Sequence, residues 1–161
     1  MLKMTKFNKI NSIKETQKAT EAAMKAVISY LKTSINPISE EAHDVIDRIL
    51  EENDCESPEG HIVAGGKQSA EPHEFGHGPI EKGASIVIDI YPRSKTTKYF
   101  ADMSRTVCIG APSTKLQKMY DIVLAAQELG ISMIKPGAKC AEIQKAVEQL
   151  FTDAGHVTSG K

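Results

Sequence analysis

The sequence predicts an α+β fold with antiparallel strands, ordered helix, helix, strands, helix, helix. Three observations lead there. Apolar residues recur at helical spacing in two segments before residue 53 and in two more after residue 112. Residues 53 to 84 are rich in Gly, Pro and His and read as loop around one short apolar piece. Residues 85 to 110 hold two apolar, strand-forming runs with "PRSKTT" between them.

Composition narrows the class. The chain has 161 residues, enough for one domain with one core. It is 40% hydrophobic and 25% charged, as a globular chain should be. Lys plus Arg is 20 and Asp plus Glu is 21, a formal net charge of -1. No basic excess points to nucleic acid or an anionic membrane surface. The apolar runs are too short to span a bilayer, and the N-terminus lacks the apolar stretch of a signal peptide. Cys55, Cys108 and Cys140 are an odd number without metal-like pairing, so three reduced thiols in a cytoplasmic protein are expected.

The first helix is expected in "SIKETQKATEAAMKAVISYLKTS", opened by a capping box of Ser12 and Glu15. Its apolar face is Thr20, Ala23, Met24, Val27, Ile28 and Leu31, and Pro37 forbids continuation. The second helix is expected in "SEEAHDVIDRILEEN", capped by Ser39, with Glu40 and Glu41 at the positive end of its dipole. Ala42, Val45, Ile46, Ile49 and Leu50 form its stripe. Strands are expected at Ile62 to Ala64, Ser85 to Tyr91 and Tyr99 to Ile109. Ser113 should open the third helix, with Leu116, Tyr120, Val123, Ala126 and Ala125 or Leu129 inward and "KPG" at 135 to 137 as its stop. The fourth runs through "AEIQKAVEQLFTDAG", with Ile143, Val147, Leu150 and Phe151 inward and Gly155 ending it.

Two aspartates sit in the apolar strand region. Asp89 interrupts "IVIDIY" and Asp102 lies in "YFADMS". Buried aspartates need a partner. Thirteen positions separate them, which suits one hairpin reversing near Lys95 and Thr96. The pair would then lie opposite or nearly so, on one face, with Cβ atoms about 5 Å apart. Two such carboxylates repel, so one takes a proton or a cation lies between them. A divalent ion bound by carboxylate oxygens removes the conflict. The ordinary alternatives are a turn cap at Asp89 and an ion pair between Asp102 and Arg105.

The stretch "IVAGGKQSAEPHEFGHGPIEKGASIVIDIYPRSKTTKYFADMSRTVCIGAPS" resembles the first half of the pita-bread metallopeptidases. That superfamily includes Xaa-Pro aminopeptidases, prolidases, methionine aminopeptidases and the non-peptidase creatinase. The match is to the Xaa-Pro branch: "IVAGG", a histidine, "IVID", "YFADMSRT", "GAPS" and, after the third helix, "IKPG". It extends from about Lys9 to near the end of the chain.

The resemblance implies a site of two divalent ions, Mn, Co or Zn, with five protein ligands. Two of these correspond to Asp89 and Asp102, Asp102 bridging both ions. It implies hydrolysis of a peptide with proline at the second position, through a water acidified by the metals. The histidine that holds substrate matches His73, and His77, four residues later, is the weaker match. Arg105 and Thr106 match positions that support the strand. Ser104 stands where a threonine is common, and the hairpin carries two extra residues. A homo-oligomer is expected, with neither nucleic acid nor membrane as partner.

The remaining three ligands, a histidine and two later glutamates, have no match. His156 reads as structural at a helix exit, and Glu128, Glu142 and Glu148 as helix surface. His43 and His61 read as structural or solvent-facing. Residues 1 to 161 are therefore expected to be the N-terminal half of a pita-bread catalytic domain, without its upstream domain or C-terminal half. Such a chain should be inactive alone, bind metal weakly and leave the two aspartates only partly buried. The competing expectation is a pita-bread domain kept as a non-catalytic binding or assembly module. Creatinase-like chemistry is a third, disfavoured by the aspartate pair.

Overall fold

The computed structural model describes residues 6–157. Helix α1 spans Lys6–Thr33 and α2 spans Ser39–Glu52. Five strands follow: β1 Cys55–Glu56, β2 Ile62–Gly65, β3 Ser85–Ile90, β4 Arg93–Ser94 and β5 Met103–Cys108. A short 3-10 turn, Gly66–Ala70, follows β2. Helices α3, Thr114–Ser132, and α4, Cys140–Asp153, complete the order. The α+β architecture is therefore as expected, with strands antiparallel throughout.

The chain divides into two compact units between Pro112 and Ser113. In the first unit, β3 is the centre of a three-stranded sheet ordered β2-β3-β5. Its alternation is complete: Ile86, Ile88 and Ile90 are buried while Val87 and Asp89 are half-buried. The three isoleucines face a core that includes Ala23, Met24, Val27 and Leu31 of α1 and Ala42, Ile46 and Leu50 of α2. Burying each isoleucine contributes roughly 2 kcal/mol. The helical stripes read from the sequence are thus the core faces, with Ile28, Val45 and Ile49 packed at its margin.

Two helix starts differ from expectation. Ser12 lies inside α1, and its hydroxyl donates to Asn8 O of the preceding turn at 2.9 Å. The helix extends through the expected capping position, so the hydroxyl bonds backward instead of capping. Ser39 is the first residue of α2, and Ile38 is the N-cap, without a side-chain cap bond. The Ser39 hydroxyl instead donates to Val63 O at 2.9 Å, which ties α2 to β2. Ser113 does cap α3, accepting from Leu116 N at 3.2 Å.

Two further strands were not expected. β1 pairs with β4, matching Cys55 to Ser94 and Glu56 to Arg93. Both are two residues long, too short to show any periodicity. The pairing anchors the tip of the β3-β5 hairpin. Arg93 Nε donates to Glu56 Oε1 at 2.8 Å, Thr96 Oγ1 to Asp54 Oδ2 at 2.6 Å and Lys95 N to Asp54 O at 2.8 Å.

In the second unit α3 and α4 pack together. Ala126 is the one buried residue of α3, and α4 has none. Leu116 and Leu129 are half-buried, but Tyr120 and Val123 are 45% and 52% exposed, against expectation. A single partner helix covers only a narrow stripe of its neighbour, and these two side chains lie outside it. Gly155, at φ 81, ends α4 with its amide on Thr152 O.

Candidate metal centre

The hairpin register decides how the aspartates meet. β3 and β5 pair Asp89 with Ser104 and Ile90 with Met103. The same register continues beyond both strands, through Ala101 N donating to Pro92 O at 3.0 Å and the bridge of Arg93 with Phe100. Asp102 therefore faces Tyr91, two positions from Asp89. Of the expected placements, opposite or nearly so, the aspartates take the second, a diagonal one, and the reversal falls at Thr96 and Thr97, one residue later than expected. The docked tip explains the shift: Lys95 and Thr96 are held by Asp54, and Thr97 N donates to Ser94 Oγ. A two-residue offset preserves the face, whereas a one-residue slip would have reversed it. Asp89, Ser104 and Asp102 share one face of the sheet, opposite the isoleucine core.

Neither aspartate is fully buried. Asp89 is half-buried and Asp102, just before β5 and not within it, is exposed. Ser104 Oγ donates a short hydrogen bond to Asp89 Oδ1. Among the described residues Asp102 has no hydrogen bond or ion pair, and Arg105 does not reach it. Arg105 NH1 donates instead to Ser104 O at 2.7 Å. Loss of solvation around the Asp102 carboxyl, and then the Asp89 charge, raise its pKa above the ordinary aspartate value. Asp89 lies within β3 and Arg105 bonds Ser104 O, so the turn-cap and Arg105 alternatives both fail.

Thr106, on β5, is exposed on the same face as Asp89 and Ser104. His73 is exposed in the loop between the 3-10 turn and β3, and its ring has no hydrogen bond among the described residues. His77 is exposed, with Nδ1 3.3 Å from Glu74 Oε1. His61 is buried, with its ring centroid 4.7 Å from that of His43 and the two rings tilted at 45°. Its structural reading fits; a solvent-facing one does not.

Two further residues border the aspartates, Ser104 and Tyr91. Ser104 keeps the hydroxyl that a threonine would offer there, and it donates to Asp89 Oδ1. Tyr91 faces Asp102 through the register, and its hydroxyl donates to Glu59 O at 3.4 Å. Burial and then the Asp89 charge raise its pKa. The signal was present in the sequence: Tyr91 lies two positions after Asp89 and so on the same face of an extended chain.

The donor set fits part of a site for hard divalent cations. Two carboxylates lie on one face, and the unpartnered one, Asp102, is made less acidic first by loss of solvation and then by the Asp89 charge. Among the described residues, no group of three or more His, Cys, Asp and Glu side chains could hold an ion. The described residues therefore form no closed coordination shell around the pair.

The sequence pattern of metallopeptidase family M24 matches residues 11–160. The chain belongs to that family. It is 31% identical over 147 residues to the Xaa-Pro dipeptidase of Pyrococcus horikoshii, covering 89% of this chain and 41% of that protein. It is 30% identical over 143 residues to the Xaa-Pro dipeptidase of Pyrococcus furiosus, covering 87% and 40%. Among solved structures, the prolidase from Pyrococcus furiosus superposes with a TM-score of 0.81 at 27% identity, over 94% of this chain and 44% of that one. An X-Pro aminopeptidase from Thermotoga maritima does so with a TM-score of 0.78 at 26% identity, over 94% and 42%. The chain thus carries the pita-bread fold of these enzymes and spans less than half the length of each.

Proposed function

We propose that this chain contributes the first two ligands, Asp89 and Asp102, of a dinuclear metallopeptidase that releases the residue ahead of a proline. The observation carrying this reading is the shared-face aspartate pair in a family M24 chain. The metals, Mn, Co or Zn, would be held by both carboxylates and would supply an acidified water and a polarised carbonyl. Ser104 fixes Asp89 through its hydroxyl, and Arg105 fixes the β5 backbone through the Ser104 carbonyl. Tyr91 borders the pair, and His73 offers an open imidazole to the substrate carbonyl. Thr106 supports the strand from the aspartate face.

The substrate of this reading is a peptide or dipeptide with proline in second place. The setting is cytoplasmic, in keeping with three unpaired thiols. The assembly is a homo-oligomer, without nucleic acid or membrane partner. No helix among the described residues is long and apolar enough to cross a membrane.

Two carboxylates form an incomplete shell, so the 161-residue chain alone should bind Mn²⁺ only with a dissociation constant on the order of millimolar. It should not turn over an Xaa-Pro dipeptide. Calorimetric titration with Mn²⁺ should give a weak signal that disappears in Asp89→Asn and Asp102→Asn. Mn²⁺ binding that survives both substitutions would overturn the assignment of the ligands. Turnover by the isolated chain, lost in Asp102→Asn, would overturn the claim of inactivity.

A further inference from the structure

We propose that Glu40 and Gln68 are positioning residues that clamp the His73 loop, holding its backbone while leaving the His73 ring free. This rests on the reading of His73 as a substrate contact.

Residues 71 to 80 have no regular secondary structure, and His73, Phe75, His77 and Pro79 are exposed. A loop of that kind is ordinarily mobile. This one is held at its far end by two side chains from different elements. The Gln68 carboxamide grips the His77 peptide on both sides: Nε2 donates to His77 O at 2.9 Å, and Oε1 accepts from His77 N at 3.0 Å. Only a side chain with a donor and an acceptor at this reach makes both bonds. The Glu40 carboxylate, in the first turn of α2, accepts from Gly78 N with both oxygens, at 2.9 and 3.0 Å. That bond holds the Glu40 pKa below its ordinary value.

The inner side of the loop is equally fixed. Phe75 O accepts from Val63 N at 2.8 Å and from His43 Nε2 at 3.1 Å. Ser39 N donates to Gly78 O at 3.0 Å. Before His73, Glu71 N donates to Gln68 O at 3.0 Å, and after it Glu74 N donates to Glu71 O at 3.2 Å. His73 therefore sits in a tight turn, while its ring carries no bond of its own. His77 is the opposite case, with both its peptide and its ring engaged. The geometry separates the two histidines: His73 is the open contact and His77 belongs to the clamp. A rigid backbone under an unoccupied side chain is what a substrate-orienting group requires.

The test is amide hydrogen exchange and histidine ring NMR on the 161-residue chain. Gln68→Ala should raise exchange at the His77 amide at least about tenfold, and Glu40→Ala should do so at the Gly78 amide. In both, the His73 ring resonances should move toward those of an unstructured peptide, while Ile88 exchange and the urea midpoint stay put. Glu40→Gln keeps an acceptor and should restore protection at Gly78; Gln68→Glu loses the donor and should not restore the wild-type His73 resonances. Unchanged loop amides and His73 resonances in the alanine variants would overturn the proposal. So would a uniform rise in exchange across β3, which marks a general loss of stability. Activity of His73→Ala in the complete peptidase tests the substrate-contact reading separately, so the two failures can be told apart.

Discussion

At the scale of single residues, Asp102 and His61 show opposite responses to burial and charge. The Asp102 carboxyl is crowded by neighbouring atoms and by Asp89, and its pKa is raised. The folded chain therefore holds the Asp102 proton more tightly than the unfolded chain. That contribution favours folding below the unfolded pKa and is lost as pH rises through the folded one. Asp102→Asn removes the repulsion, so the metal-free chain should melt at neutral pH no lower than wild type. A thermal scan showing a clear fall in Tm would count against the repulsion. His61 is 4% exposed, and burial, then the His43 ring, lower its pKa from 6.5 to about 4. Asp47, 3.8 Å away, opposes this but is 64% exposed, so its charge is screened. Here the unfolded chain takes the proton first. Stability is complete above pH 6.5 and falls as pH drops toward about 4, by at most about 3 kcal/mol. Urea titrations at several pH values check this, and His61→Leu should flatten the slope over that window.

At the scale of elements, the loop over β2 depends on one glycine far more than on its neighbour. Gly76 and Gly78 both have positive φ, 91 and 71. A Cβ on Gly76 would lie 1.9 Å from Val63 O, whereas one on Gly78 would meet nothing within 4 Å. Gly78→Ala should therefore cost only the left-handed backbone, about 1 kcal/mol. Gly76→Ala should cost more than about 2 kcal/mol, because β2 or the loop must move. Chemical denaturation of the two variants gives the comparison directly. The central helices and strands were legible because their periodicity is long and strong. The actual partners of the Ser12 and Ser39 hydroxyls, Asn8 O and Val63 O in place of helix caps, were not, because a hydroxyl's partner depends on which backbone groups the fold brings near it. The hairpin register was legible only in its parity. Its exact offset depends on Asp54 and Glu56, which lie far from the hairpin in sequence.

At the scale of the whole molecule, the two compact units differ in how much apolar surface they bury. The first encloses the isoleucine face of β3 between sheet and helices. In the second, Met119, Tyr120, Val123, Leu124 and Ile131 of α3 are all more than 40% exposed or close to it, at 43%, 45%, 52%, 40% and 62%. Few buried contacts mean low local stability. Amides in α3 and α4 should therefore exchange about 100-fold faster than those of Val63 and Ile88, as measured by mass spectrometry or NMR. Equal protection in the two units would refute this.

The sequence by itself determined the course of the helices and the central strands, because periodicity is a local signal; the family was legible through its motifs, and Asp89 and Asp102 stood out as charges in apolar runs. The tertiary structure alone decided that Asp102 faces Tyr91, that Ser104 holds Asp89, and that Glu40 and Gln68 grip the His73 loop. Those contacts join residues up to 38 positions apart, and only the folded chain brings such partners together.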